Sequence, residues 1–152
     1  MNEKATIPSQ LLPPRTLDLF AGAGGGILGG ILLGWQTICA VEINSYCQQV
    51  LSQRQADGIL PWFPIFNDIR KFNGKPWRGI VDIVTGGFPC QPYSTAGRRK
   101  GEADKRNLWP DTIRVLREVA PPIAFLENVP GLLSFDYFGE IIGDLAESGY
   151  DA

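Results

Sequence analysis

The 152-residue sequence contains no histidine. That absence excludes Ser-His-Asp and Cys-His arrangements, so any reactive thiol here has to work without an imidazole. There are only three cysteines and no C-x-x-C pair, so no zinc site is expected. An odd cysteine count without paired spacing also argues against a disulfide framework and for a reducing compartment, the cytoplasm. No apolar run reaches the length of a membrane span, and the polar start Met1-Asn2-Glu3-Lys4 is no secretion signal. Charge of either sign is nearly balanced at a net −2, which carries no global nucleic-acid signal. The imbalance is local: Arg98 to Arg117 holds seven basic and three acidic residues, a pattern that also fits a solvated face.

What is present is a chain of 44% hydrophobic residues, enough for the core of about one domain. Residues 1–14 read as an irregular lead-in, and 15–152 as the domain. Thr16 to Phe20 reads as a strand. The turn Gly22-Ala23-Gly24-Gly25-Gly26 follows, then Ile27, Leu28, Ile31 and Leu32 at helical spacing, with Gly34 as a stop. Thr37 to Val41 predicts a second strand, and Asn44 a helix cap with Cys47, Val50 and Leu51 facing inward. Cys39 and Cys47 lie on apolar faces and read as structural. Ile65-Phe66 predicts a short third strand and Ile80 to Val84 a fourth. A polar loop spans Tyr93 to Arg106. Asn107 reads as the cap of a helix carrying Trp109, Ile113 and Leu116. Ile123 to Leu126 predicts a fifth strand, and Phe138, Ile141, Ile142 and Leu145 a last helix ended by Gly149. Strands alternating with helices predict an α/β fold, a mostly parallel sheet with helices on both faces.

In such sheets ligands bind beyond the carboxyl ends of the strands. The unusual residues all fall there. The glycine turn follows strand one, and Glu42 ends strand two, where an acid binds ribose hydroxyls. Asp68 follows strand three, Cys90 strand four and Glu127 strand five. Cys90 sits in Gly86-Gly87-Phe88-Pro89-Cys90-Gln91-Pro92, where two glycines are expected to break the strand and two prolines to stiffen the loop. That stretch suits a nucleophile and equally suits a turn with a buried cysteine. Glu127, at the end of a buried strand, reads either as a desolvated carboxyl that favours the neutral acid or as a solvated acid beginning the Pro130-Gly131 turn. Beside a thiol, it suggests a pair that attacks and polarises a heterocycle. Gly24-Gly25-Gly26-Ile27-Leu28-Gly29 also satisfies the dinucleotide pattern G-x-G-x-x-G, leaving a nicotinamide-dependent dehydrogenase as another reading.

Three stretches taken together, Asp18 to Gly25, Gly87 to Ser94 and Glu127-Asn128-Val129, resemble signature motifs of the DNA (cytosine-5-)-methyltransferases in order and spacing. The resemblance implies a Rossmann-like S-adenosylmethionine-dependent methyltransferase fold. It implies that Phe20 lies against adenine while Ala21, Gly22, Gly24 and Gly25 line the methionine portion. Glu42 takes the ribose, Ile43 stands where an aromatic often stacks, Asp68 and Ile69 meet the adenine edge, and Pro89 and Leu108 close the pocket. It further implies that Cys90 adds to C6 of a flipped cytosine, that Glu127 holds N3 and N4, and that Gln91, Ser94, Arg98, Arg99 and Lys100 face double-stranded DNA.

The family's Gln-Arg-Arg motif, target-recognition region and C-terminal helix are not found in this sequence. The expectation is therefore a fold truncated after the fifth strand, with Ser148 to Ala152 leading toward a sixth. The missing C-terminal half is then needed in cis or in trans for activity. The alternative is an inactive or split-enzyme subunit that binds cofactor.

Overall fold

The structure is a computed structural model and describes residues 12–89, 107–134 and 137–152. Five strands form one parallel sheet: β1 Arg15–Leu19, β2 Gln36–Val41, β3 Ile65–Phe66, β4 Ile83–Gly87 and β5 Ile123–Glu127. Their order is β3-β2-β1-β4-β5, so the chain reverses direction across the sheet between β1 and β4. Four helices connect and cover them: α1 Gly25–Leu32, α2 Ser45–Ala56, α3 Trp109–Val119 and α4 Tyr137–Glu147.

Alternation along the strands divides the core. Leu17, Leu19 and Val84 point to one face and pack with Ile113, Leu116 and Val119 of α3 and Ile141 and Leu145 of α4. Ala40 points to the other, where Ile27 of α1 and Leu51 of α2 meet Leu60 and Phe63. Each such fully buried side chain contributes roughly 1.5–3 kcal/mol. Cover on the second face is unequal. The helices lie toward β2 and β3, while Ile123 and Phe125 of β5 are more than half exposed. The helical spacing in α1 predicted Leu32 as an inward residue. It is exposed, while α1 buries Ile27, as the spacing predicted, and also Gly30, the latter against the Trp35 ring.

The fourth strand starts later than its apolar run predicted. The N–H groups of Ile80 and Val81 both donate to the Trp77 carbonyl, closing a turn after the 3-10 segment Lys75–Trp77. Asp82 is occupied by Arg15, accepting from its backbone N–H at 2.8 Å and from Nε at 3.0 Å. The ladder therefore opens at Ile83. Gly86 and Gly87 do not break the strand: Gly86 pairs with Leu19 and Leu126, and Gly87 with Glu127. A Cβ on Gly86 would stand 3.2 Å from Leu19 Cβ, so bare backbone is what lets β4 pack between its neighbours. Asn44 caps α2 as expected, its Oδ1 accepting from Tyr46 and Cys47 N–H. The N-cap of α3 is Leu108 rather than Asn107, whose Oδ1 still accepts from Trp109 N–H at 3.1 Å.

Candidate functional site

A groove of about 770 Å³ runs along the uncovered face of β4 and β5 beside α1, from Ile83 and Ile123 to the carboxyl ends of β1, β4 and β5. At that carboxyl end Phe20, Ala21, Gly86, Gly87 and Glu127 line it, with Asp18 and Thr85 also in its wall. Phe20 leaves β1 at φ 53°, a left-handed conformation that a bulky side chain rarely holds. Gly22 and Gly24 continue at φ 55° and 90°. The turn is tied down from inside, because Gly24 N–H donates to the Ala21 carbonyl at 2.9 Å and Ala21 N–H to Val41 at 3.2 Å. Its glycines differ in purpose. A Cβ on Gly22, Gly25 or Gly26 meets nothing within 4 Å, whereas one on Gly24 would lie 2.8 Å from Leu51. Gly24 is thus a close-packing position between α1 and α2.

Glu42 is buried at the tip of β2. Its two carboxylate oxygens accept from Gly22 N–H and Asn44 N–H, each at 2.7 Å, so the acid holds the glycine turn against the second strand. Ile43 beside it is exposed. Asp68, after β3, accepts from the N–H and Nε of Arg70. Those Arg70 hydrogen bonds hold its carboxyl below the usual carboxylate range. Ile69 is buried in the larger core cluster. Leu108 is half-buried against that cluster, and its carbonyl accepts from the Thr112 hydroxyl at 2.8 Å. Pro89 is the last described residue of its loop. The residues expected at the nucleophile and at DNA, namely Cys90, Gln91, Ser94, Arg98, Arg99 and Lys100, lie outside the described residues.

Glu127 is exposed, as the solvated reading expected and against the desolvated one. The reason is the open half of the sheet face, since its face-mates Ile123 and Phe125 are exposed too. Its Oε2 stands 3.0 Å from where a Cβ would project from Gly87, so the carboxylate reaches over the end of β4.

Several contributors were not assigned roles from sequence. Asp18 is buried and accepts from the hydroxyls of Thr16 and Thr85, each at 2.7 Å, which satisfies both oxygens under the groove. Asn128 donates from Nδ2 to the Phe88 carbonyl at 2.9 Å. Only its place within Glu-Asn-Val signalled it beforehand. Cys39, opposite the groove, is inert: burial, with the Asp18 charge adding, pushes its thiol up to about 12. Among the described residues no helix is long and apolar enough to cross a membrane.

Residues 14–152 match the family model of the C-5 cytosine-specific DNA methylases. The chain is similar to the type II methyltransferase M.NgoMIV of Neisseria gonorrhoeae, at 38% identity over 89% of this chain and 43% of that protein. It is also similar to the type II methyltransferase M.Eco47II of Escherichia coli, at 36% identity over 79% of this chain and 28% of that protein. The chain thus spans less than half the length of these relatives. A crystal structure of a Spodoptera frugiperda DNMT2 mutant superposes with a TM-score of 0.66 at 24% identity, covering 89% of this chain and 41% of that one. At that identity the likeness concerns the fold.

Proposed function

The chain belongs to the C-5 cytosine-specific DNA methylases, and from that membership we propose that it supplies the cofactor-binding and bond-forming part of an enzyme that methylates cytosine at C5 in double-stranded DNA. The observation that carries this reading is the shared groove: Phe20 and Ala21 after β1 and Glu127 at the end of β5 line one space. The tests and the remaining roles below rest on it.

The cofactor is S-adenosylmethionine, which when bound supplies an electrophilic methyl group. The turn suits it. Gly22 and Gly25 present backbone to open space, so a ligand can approach closely. Phe20 offers an apolar ring to the adenine, while Ala21, Gly22 and Gly25 flank the methionine portion and Gly24 keeps the turn seated on α2. Glu42 spends one lone pair on each backbone N–H, and the others remain for ribose hydroxyls. Ile43 gives apolar cover, Asp68 and Ile69 meet the adenine edge, and Pro89 and Leu108 form the opposite wall.

Cys90, as thiolate, adds to C6 of the cytosine, and Glu127 holds N3 and N4. The addition would place electron density on C5, toward the methyl group that bound S-adenosylmethionine would supply, the remainder leaving as S-adenosylhomocysteine. Transfer of the C5 proton to water, with the Cys90 thiolate expelled from C6, would restore the ring. C6 is out of reach in a stacked duplex, so the base has to be extruded. Gln91, Ser94, Arg98, Arg99 and Lys100 are assigned to the DNA, the cations to phosphates. The remaining part of the enzyme supplies target recognition, in cis or in trans, and the reaction takes place in the cytoplasm.

Two measurements test this. Calorimetry on the 152-residue chain should detect S-adenosylmethionine binding that Phe20→Ala weakens; binding of NAD in its place overturns the cofactor assignment. Joined to the sequence that follows the matched region in M.NgoMIV, the chain should form a covalent adduct with DNA containing 5-fluorocytosine. If Cys90→Ser leaves that adduct intact, the nucleophile is wrong.

A further inference from the structure

The chain after β3 makes a tight turn. Lys71 N–H and Phe72 N–H both donate to the Asp68 carbonyl at 3.0 Å. The side chains of Ile69 and Phe72 are buried, and their carbonyls meet one guanidinium on α3. Arg114 Nη2 donates to the Ile69 carbonyl at 2.6 Å and Nη1 to the Phe72 carbonyl at 2.9 Å. Carboxylates hold the fork in turn: Glu118 Oε1 accepts from Nη1 at 3.1 Å, and Asp111 Oδ1 stands 3.6 Å from Nη2. Glu118 Oε2 also accepts from Gly74 N–H at 2.7 Å, a second tie to the same segment. Ile113 and Val115 beside Arg114 are buried, which seats the helix firmly. At its start the Leu108 carbonyl accepts from Thr112 N–H at 3.0 Å and from the buried Thr112 hydroxyl at 2.8 Å. The Asp68–Ile69 turn and Leu108 are therefore fastened to the same helix. We propose that Arg114 is a positioning residue that holds this turn at a fixed distance from Leu108 and so sets the width of the slot for the adenine ring. The proposal rests on the cofactor assignment made above. A carboxylate only accepts, so of the adenine edge Asp68 takes the amino group. Both Arg70 bonds fall on Asp68 Oδ1, which leaves Oδ2 for it.

The test is calorimetry on the intact 152-residue chain with S-adenosylhomocysteine and with S-inosylhomocysteine, which carries a carbonyl oxygen in place of the adenine amino group. Wild type is expected to favour the adenine compound about tenfold or more, because the other sets an acceptor against the Asp68 carboxylate. Arg114→Met and Arg114→Lys should each shrink that preference to about threefold or less, since neither side chain spans two carbonyls as the planar fork does. A variant that only loosens the fold weakens both compounds by the same factor, so the ratio separates positioning from structure. An unchanged ratio in either folded variant overturns the role of Arg114 and leaves the cofactor assignment standing. If wild type binds neither compound, the cofactor assignment fails and this proposal with it. If wild type binds both equally, the contact of Asp68 with the amino group is wrong and Arg114 has nothing to position. Circular dichroism reports the fold: if neither variant folds, Arg114 is merely structural and the positioning role is lost.

Discussion

Gly86→Ala and Gly87→Ala are adjacent, chemically identical changes in one strand, and they are expected to fail in opposite ways. Neither glycine has a positive φ, so the cost of an added methyl is set by what it meets. At Gly86 it meets Leu19 Cβ at 3.2 Å and the Leu19 carbonyl at 3.5 Å. Leu19 is buried in the central strand, and its Cβ cannot yield without moving β1. Overpacking of that kind costs about 1–3 kcal/mol. At Gly87 the methyl meets Glu127 Oε2 at 3.0 Å, the tip of an exposed, rotatable side chain. That tip swings away, and loss of glycine freedom in the unfolded chain gives back about 0.4–1 kcal/mol. Urea denaturation should therefore separate the two variants by about 1.5–4 kcal/mol, with Gly87→Ala the more stable. Function should reverse the order of harm. Moving the carboxylate off its place is expected to slow adduct formation on 5-fluorocytosine DNA by the completed enzyme about 10- to 100-fold, without altering S-adenosylmethionine affinity. Equal stabilities, or a Gly87→Ala enzyme that forms adduct at the wild-type rate, would refute this account of the glycine pair.

Other changes have simpler expectations. Asn44→Ala removes an acceptor shared by Tyr46 and Cys47 N–H and should cost about 0.5–2 kcal/mol in urea denaturation. The Cys39 thiol, pushed up to about 12 from near 9, should resist iodoacetamide at pH 8 until the chain is unfolded. Because the folded form keeps its proton while the unfolded one loses it, stability should fall as pH rises from about 9 toward 12, and Cys39→Ala should remove that slope in denaturation curves. Asp82 shifts the other way: its hydrogen bonds from Arg15 hold the carboxyl below the usual range. Its contribution is present above the ordinary carboxylate value and is lost as pH falls through the lower folded one. Asp82→Asn should flatten the acid limb of a pH–stability profile by lowering stability at pH 7 toward its acid value, a small loss because both partners are about 40% exposed (39% and 41%).

The order of strands and helices was legible because each strand is a short apolar run bounded by glycine, proline or a capping residue. What a run cannot disclose is which of its residues find a partner. Ile80 and Val81 look as strand-like as Ile83 and Val84, yet their N–H groups close on Trp77. Leu32 sits at helical spacing, yet nothing covers it, because α1 lies toward β2 and leaves β4 and β5 open. The same open face explains why Glu127 meets solvent where a covered strand end predicts burial. Glu42 was recognisable as an acid at a strand tip, but its grip on Gly22 joins residues twenty positions apart, a closeness that only the β1–β2 pairing creates. The glycine pair makes the point most sharply. Glycine in a strand signals either a break or a neighbour that comes too close for a Cβ, and the letters alone do not distinguish the two. At Gly86 the neighbour is the central strand, and at Gly87 it is the carboxylate of Glu127. A sequence motif that reads as Gly-Gly-Phe-Pro-Cys is thus also a record of what stands on β1 and β5, so its glycines belong to the site's geometry as much as its cysteine belongs to the proposed chemistry.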